Sequence, residues 1–487
     1  MPSATTQNDS AALDRETMIV AAVVLLGAIM SILDTTVINV AIDRLAIDFH
    51  ASLTTIQWVV TGYTLALAAV IPISGWAADR FGTKRIYIGS LALFMLGSAL
   101  CAVAWSAGSL IVFRVLQGFG GGMIMPIVMT ILTRKAGPQR MGRVMGLLGV
   151  PMLAAPILGP ILGGWLVDDV SWRWIFLINI PIGVAAIVLA QIVLERDQPQ
   201  PAHRLDWLGM ALLSPGLTAL IFGLAESNSG GFGATKSWLP IAIGAALVAG
   251  FLRHSWKVAE PLIDVRTFTR TAAGPAAATL ALFAIAFFGS LLLIPLYYQT
   301  VRGASALEAG LLMAPLGLGS MITMPLAGKL TDRYGPSRWP AYGIPLLVLG
   351  LAPFSFVDAD TSYVLLCASS FVLGLGMGMA MMPTMTAAMQ AVPKSAIART
   401  STAMNILRQS GASIGTAILS VLLASAIADK HSRAPGPLAE AFAQTFHWGL
   451  ALLALALVPA LAMALGGRRV AGGRSIPEER SALASEG

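Results

Sequence analysis

The chain has 487 residues, 56% of them hydrophobic and only 11% charged, with a formal net charge of +7. A soluble domain carries about 25% charged residues, so a water-soluble protein of this length is excluded. So is a signal peptide leading a soluble domain, because apolar sequence runs the whole length. Most of the 31 Lys and Arg gather in loops on one side of the apolar segments. That is the positive-inside pattern of a membrane protein and not a nucleic-acid-binding patch.

A membrane-spanning helix needs about 20 mostly apolar residues. Such stretches fall near 19–42, 54–77, 86–105, 109–132, 142–166, 174–194, 207–225, 238–252, 272–298, 308–328, 340–357, 362–389, 401–427 and 446–466. The sequence therefore predicts an all-α integral membrane fold of fourteen spans. The even count places both termini on one side, and the cationic loops make that side cytoplasmic. The expected organisation is a cytoplasmic tail (1–18), a six-helix bundle (19–195), two inserted helices with their loops (196–270), a second six-helix bundle (271–466), and a Gly-, Ser- and charge-rich disordered tail (467–487).

In the first span, Asp34 lies well inside apolar sequence. Ionisable groups at such depth are rare and default to function, and a carboxyl group taken out of water is a candidate to bind and release a proton. After the second span comes Gly75-x-x-x-Asp79-Arg80-Phe81-Gly82, followed by Arg85. A very short turn between two spans favours the glycines, while Asp79 and Arg80 suit an electrostatic latch that pairs with the other half in one access state and separates in the next. The fourth span places Arg114 at about the depth of Asp34, where it needs an acidic or carbonyl partner. Asp34 and Arg114 are therefore expected to communicate, with Gln117 one turn on extending the network.

The fifth span carries Gly149, Pro156, Gly159, Pro160, Gly163 and Gly164, residues that permit kinking and very close helix approach. After the tenth span the turn motif returns as Gly328, Asp332, Arg333 and Gly335 at the same internal spacing. Pro336 and Ser337 stand where Thr83 and Lys84 stood, so the two latches are not expected to be equivalent. A repeat placed after the second span of each six-helix group marks duplicated halves, a recurring design of secondary transporters. Aromatic and amide residues supply candidate substrate contacts: Gln57, Trp58, Tyr63, Asn179, Tyr297, Tyr298, Gln299, Asn405 and Gln409. Aromatic faces suit cationic amphiphiles, and the 22 methionines add adaptable apolar surface.

Enzyme signatures are missing. No phosphate-binding G-x-x-x-x-G-K-[ST] loop, G-x-S-x-G elbow or H-E-x-x-H pair occurs. Cys101 and Cys367 lie far apart in sequence, and the five histidines form no ligand cluster. No catalytic residue, metal or cofactor is expected.

Taken together, "LDTTVINVAI" (33–42), "QWVVTGYTLALA" (57–68), the two turn motifs, "RVLQGFGGG" (114–122), "GPILGG" (159–164), "WRWIFLINIPIG" (172–183), "YYQTVRGASALEAGLLMAP" (297–315) and "NILRQSGASIGTA" (405–417) resemble the major facilitator superfamily. Within it they resemble the fourteen-helix drug:proton antiporters of the EmrB/QacA type. The resemblance implies a multi-pass protein of a bacterial inner membrane, driven by the proton gradient, with Asp34 in proton coupling and the fifth-span motif favouring export. It implies amphipathic, often cationic substrates and is compatible with a periplasmic adaptor protein as partner. Asp43 replaces the proline usual after "NVAI", and no acidic residue lies clearly within the last six spans, which points to monovalent or neutral substrates. Export of an endogenous metabolite or siderophore, uptake, and a non-transporting membrane role are the competing readings.

Overall fold

The structure is a computed structural model describing residues 14–137, 140, 143–144, 159, 162–195, 205–271, 273–430 and 434–473. Among the described residues there is no strand, and twelve helices are long and apolar enough to cross a membrane. The expected span at 340–357 appears as a shorter apolar helical run, Pro340–Phe356. Most of the one expected at 142–166 lies outside the described residues.

By internal contact the chain divides into two compact units. The first holds Met1–Asp206 with Lys394–Thr402, and the second holds Trp207–Pro393 with Ala403–Gly487. The first unit is built from α1 (Arg15–Val37), a short α2 (Ile42–Asp48), α3 (Leu53–Phe81), α4 (Thr83–Ala102), α5 (Ala107–Ala136), a single turn α6 (Trp174–Leu177) and α7 (Asn179–Val193). Their starts are chemically marked. Asp14 and Ser52 accept from the Thr17 and Thr55 backbone amides, and Ser106 with Ser109 forms a reciprocal capping box. α5 packs against both α3 and α4, while α1 packs against α5 and α7, and α4 against α7. This arrangement turns one face of five helices toward a shared polar centre.

The second unit contains α8 (Trp207–Gly230) and α9 (Thr235–Lys257), which pack closely on each other, then α10 (Val265–Arg270), α11 (Ala273–Thr300), α12 (Ala306–Leu312), α13 (Ala314–Tyr334), α14 (Pro340–Leu351), α15 (Tyr363–Gln390), most of α16 (Ile397–Lys430) and α17 (Pro435–Gly473). α15 packs on α13, α14 and α11, and α17 on α11 and α14. α17 runs to Gly473, past the boundary expected at 466, so the start of the tail read as disordered is helical.

Candidate functional site

Asp34 sits three residues before the end of α1, and its carboxylate is the centre of a buried network. Arg114 Nη1 donates to Asp34 Oδ2 at 2.6 Å and to Gln117 Oε1 at 2.8 Å, and Arg114 Nε donates to the Val59 carbonyl at 3.2 Å. Asp34 Oδ1 accepts from Gln117 Nε2 at 2.9 Å and from Asn179 Nδ2 at 3.1 Å. Both amides also donate to Ser98 Oγ, at 3.1 and 2.9 Å, and the Ser98 hydroxyl in turn donates to the Phe176 carbonyl at 3.0 Å. The guanidinium carbon lies 4.1 Å from the centre of the Tyr63 ring. α1, α3, α4, α5 and α7 thus each contribute a group.

The side chains of Asp34 and Arg114 are both fully buried. Two charges taken out of water are retained only when their geometry is good and their remaining hydrogen-bonding capacity is used. The arrangement has a useful asymmetry. Arg114 has neutral partners besides the carboxylate, namely two carbonyl oxygens and an aromatic face, so neutralising Asp34 removes one contact and leaves the rest of the cage. Asp34 keeps two amide donors in either state. Loss of the α1–α5 ion pair alone would therefore leave the other bonds of the site in place.

The surroundings restrict access. An apolar cluster of Val37, Ile38, Ala41, Leu45, Ile56, Val59, Leu110, Trp172, Ile175 and Phe176, among others, closes the site from the end where α1 meets α2. Trp172 pins that cluster: its indole N–H donates to Asp48 Oδ2 at 2.8 Å, and its ring meets Phe49 edge-on. A cavity of about 20 Å³ bordered by Leu33, Leu162, Leu166, Ile178 and Asn179 reaches Asp34, enough for one water-sized group. In the fifth-span motif, a Cβ on Gly159 would lie 2.1 Å from Thr36 Oγ1, and one on Gly163 would lie 3.0 Å from the Val37 carbonyl oxygen. These two glycines let the fifth segment press on the α1 turn that carries Asp34. Gly164 meets nothing within 4 Å, while Gly149, Pro156 and Pro160 lie outside the described residues.

At the opposite end of the unit, Asp79 is buried and pairs with Arg134 at 2.8 Å and with Arg399, from Lys394–Thr402, at 3.8 Å. A Cβ on Gly75 would approach Ala398, Arg399 and Thr402 to 2.8–3.2 Å, so a side chain there would push this contact apart, and Ser74 Oγ lies 3.0 Å from Thr402 Oγ1. Gly82 and Gly335 end their helices at φ 87° and 81° with ψ 146° and 157°, a backbone region open essentially to glycine alone. Arg80 is part-buried and Arg85 exposed; in the second copy Gly328 is buried, Asp332 part-buried, and Arg333 lies exposed beside the Tyr334 ring. Lys135 joins Glu16 and Glu195 nearby, at 2.5 and 3.0 Å. Its hydrogen bond holds the Glu195 carboxyl below the usual range, as Thr17 does for Asp14.

The expected substrate contacts fall in both units. Asn179 belongs to the Asp34 network and Tyr63 lies under Arg114. Tyr297 is buried and donates to the Asp358 carbonyl at 2.6 Å, while Tyr298 is buried against Tyr297 and Tyr363. Tyr297 thus braces the turn at 357–362, and Tyr298 packs on the start of α15 at Tyr363. Gln57, Trp58 and Gln299 are exposed, Asn405 is buried and Gln409 part-buried. The sequence alone does not single out Ser98, Arg134 or Arg399, nor Arg408, a second cation inside an apolar span.

The sequence profile of the Major Facilitator Superfamily matches residues 24–416. The chain is 47% identical over 407 residues to the Multidrug resistance protein B homolog of Mycobacterium tuberculosis, covering 83% of this chain and 75% of that protein. It is 31% identical over 409 residues to the Multidrug export protein EmrB of Haemophilus influenzae, covering 81% and 78%. Among solved structures, the human organic anion transporter MFSD10 superposes with a TM-score of 0.67 at 14% identity, covering 92% of this chain and all of that one, a likeness of fold.

Proposed function

The chain belongs to the Major Facilitator Superfamily, and on that premise we propose that it is a proton-coupled exporter of amphipathic, often cationic compounds, working by alternating access. The observation that carries this reading is the buried Asp34–Arg114 pair, whose guanidinium has neutral partners waiting when the carboxylate takes up a proton. Relatives named for multidrug resistance and multidrug export support the substrate class. In this reading Asp34 is the proton carrier and Arg114 its counter-charge. Ser98, Gln117 and Asn179 hold the carboxylate in place. The contact of Asp79 with Arg134 and Arg399 is a latch that forms and breaks in the cycle. The fourteen-span count, cytoplasmic termini, bacterial inner membrane and an adaptor partner belong to the same proposal.

The test is ethidium efflux from energised cells carrying the protein, with and without a protonophore. Efflux that stops when the proton gradient collapses supports the reading. Ethidium retained equally in cells with and without the protein contradicts it and brings forward export of an endogenous metabolite.

A further inference from the structure

Arg408 lies eleven residues into α16, inside a helix of membrane-spanning length. Arg114 meets Asp34; Arg408 meets no carboxylate, and among the described residues its side chain makes no ion pair or hydrogen bond. The carboxylates between 273 and 430 all stand at helix ends or in turns. Glu308 is in the first turn of α12, Asp332 near the end of α13, Asp358 and Asp360 in the turn before α15, and Asp429 one residue from the end of α16. None is available at mid-helix to neutralise this guanidinium.

The local packing shows where the charge stands. Gly411 and Gly415 follow Arg408 at i+3 and i+7, the spacing of one helix face. A Cβ on Gly411 would lie 2.8 Å from Ala284 Cβ, and one on Gly415 1.9 Å from the Ile285 carbonyl oxygen. This face therefore runs against α11 without room for side chains. One turn earlier, where Arg408 stands, α16 passes from fully buried residues (Thr400–Ile406) to part-buried ones (Leu407–Ser410). The stretch of α11 one turn earlier, Ala276–Ala281, holds alanine, threonine and leucine and no acid. An intramembrane arginine is costly and is kept where a partner or a function compensates it.

We propose that Arg408 is an anion-recognition site, receiving the negative group (carboxylate, phenolate or sulfonate) of an amphipathic organic substrate, with Gln409 beside it as a neutral polar neighbour. This extends the exporter reading, on which it rests, from cationic compounds to organic anions. The two carriers of charge are then divided: Asp34 serves the proton, and Arg408 serves the substrate's anionic end.

The experiment is equilibrium binding to the purified full-length protein in uncharged maltoside detergent, with three probes: 1-pyrenebutyrate, its methyl ester, and ethidium. The wild type is expected to bind pyrenebutyrate more tightly than the ester. Arg408→Gln should weaken pyrenebutyrate binding by about tenfold or more, the scale of one charge-assisted hydrogen bond, with the ester and ethidium unchanged. Arg408→Lys should restore part of the loss. Equal wild-type affinity for the acid and the ester overturns the assignment, as does an Arg408→Gln variant that shifts all three probes alike or none. Failure of the wild type to bind any probe strikes the exporter reading as well; binding of ester and ethidium without preference for the acid strikes only the role of Arg408.

Discussion

Arg114 Nη1 and Asp34 Oδ2 meet at 2.6 Å with neither side chain exposed, and the same nitrogen also donates to Gln117 Oε1. The two residues are 80 positions apart, so the bond ties α1 to α5 at a depth where charge is costly. Removing one partner leaves the other buried and uncompensated. Asp34→Ala is expected to lower stability by about 3–5 kcal/mol. Asp34→Ala combined with Arg114→Leu is expected to lose less than the two single changes summed, as coupled neighbours do. Thermal unfolding of the three purified proteins checks this; strict additivity would mean that the pair contributes nothing as a pair.

Gly159 meets Thr36 so closely that even a methyl group needs α1 to move. Gly159→Val is expected to displace the turn carrying Asp34 and to abolish proton-dependent transport, with the protein still delivered to the membrane. Gly164→Ala, at a position with open space, is expected to transport like wild type. Efflux rates normalised to the amount of membrane protein separate the two.

Both copies of the turn motif place glycine at φ above 80°. Gly82→Ala and Gly335→Ala should each cost about 1–3 kcal/mol, read as a lowered unfolding temperature. Gly89→Ala, inside α4 with nothing within 4 Å, should stabilise slightly or leave the protein unchanged.

Tyr297 uses its hydroxyl to hold the Asp358 carbonyl. Tyr297→Phe is expected to lower stability by about 1 kcal/mol and to leave ethidium affinity unchanged, because this side chain braces a turn. A selective loss of ethidium binding would return it to the substrate site.

Much of this architecture was legible because membranes enforce a simple code. The apolar runs mark the helices. Asp34 and Arg114 stand out as charges in oil, and the repeated turn motif marks glycines that the structure holds in a glycine-only conformation. Partnership was harder to read. Asn179 is visible as a polar residue, but its attachment to Asp34 depends on how α7 packs against α1 and α4, which no local pattern encodes. Ser98 sends no signal, since a serine within an apolar helix usually bonds its own backbone. Arg399 lies 320 positions from Asp79, beyond any spacing argument. Arg408 carries the same signal as Arg114, but a polar stretch, "NILRQSGAS", softens its contrast with the helix around it.

The most direct measurement is ethidium movement in proteoliposomes under an imposed pH difference, wild type against Asp34→Asn, with ethidium binding measured on the same preparations. The account requires that the wild type drive ethidium against its gradient at the expense of the proton gradient, and that Asp34→Asn still bind ethidium but fail to concentrate it. An Asp34→Asn variant that concentrates ethidium with the wild-type dependence on the pH difference would contradict the assignment of Asp34 as the proton carrier.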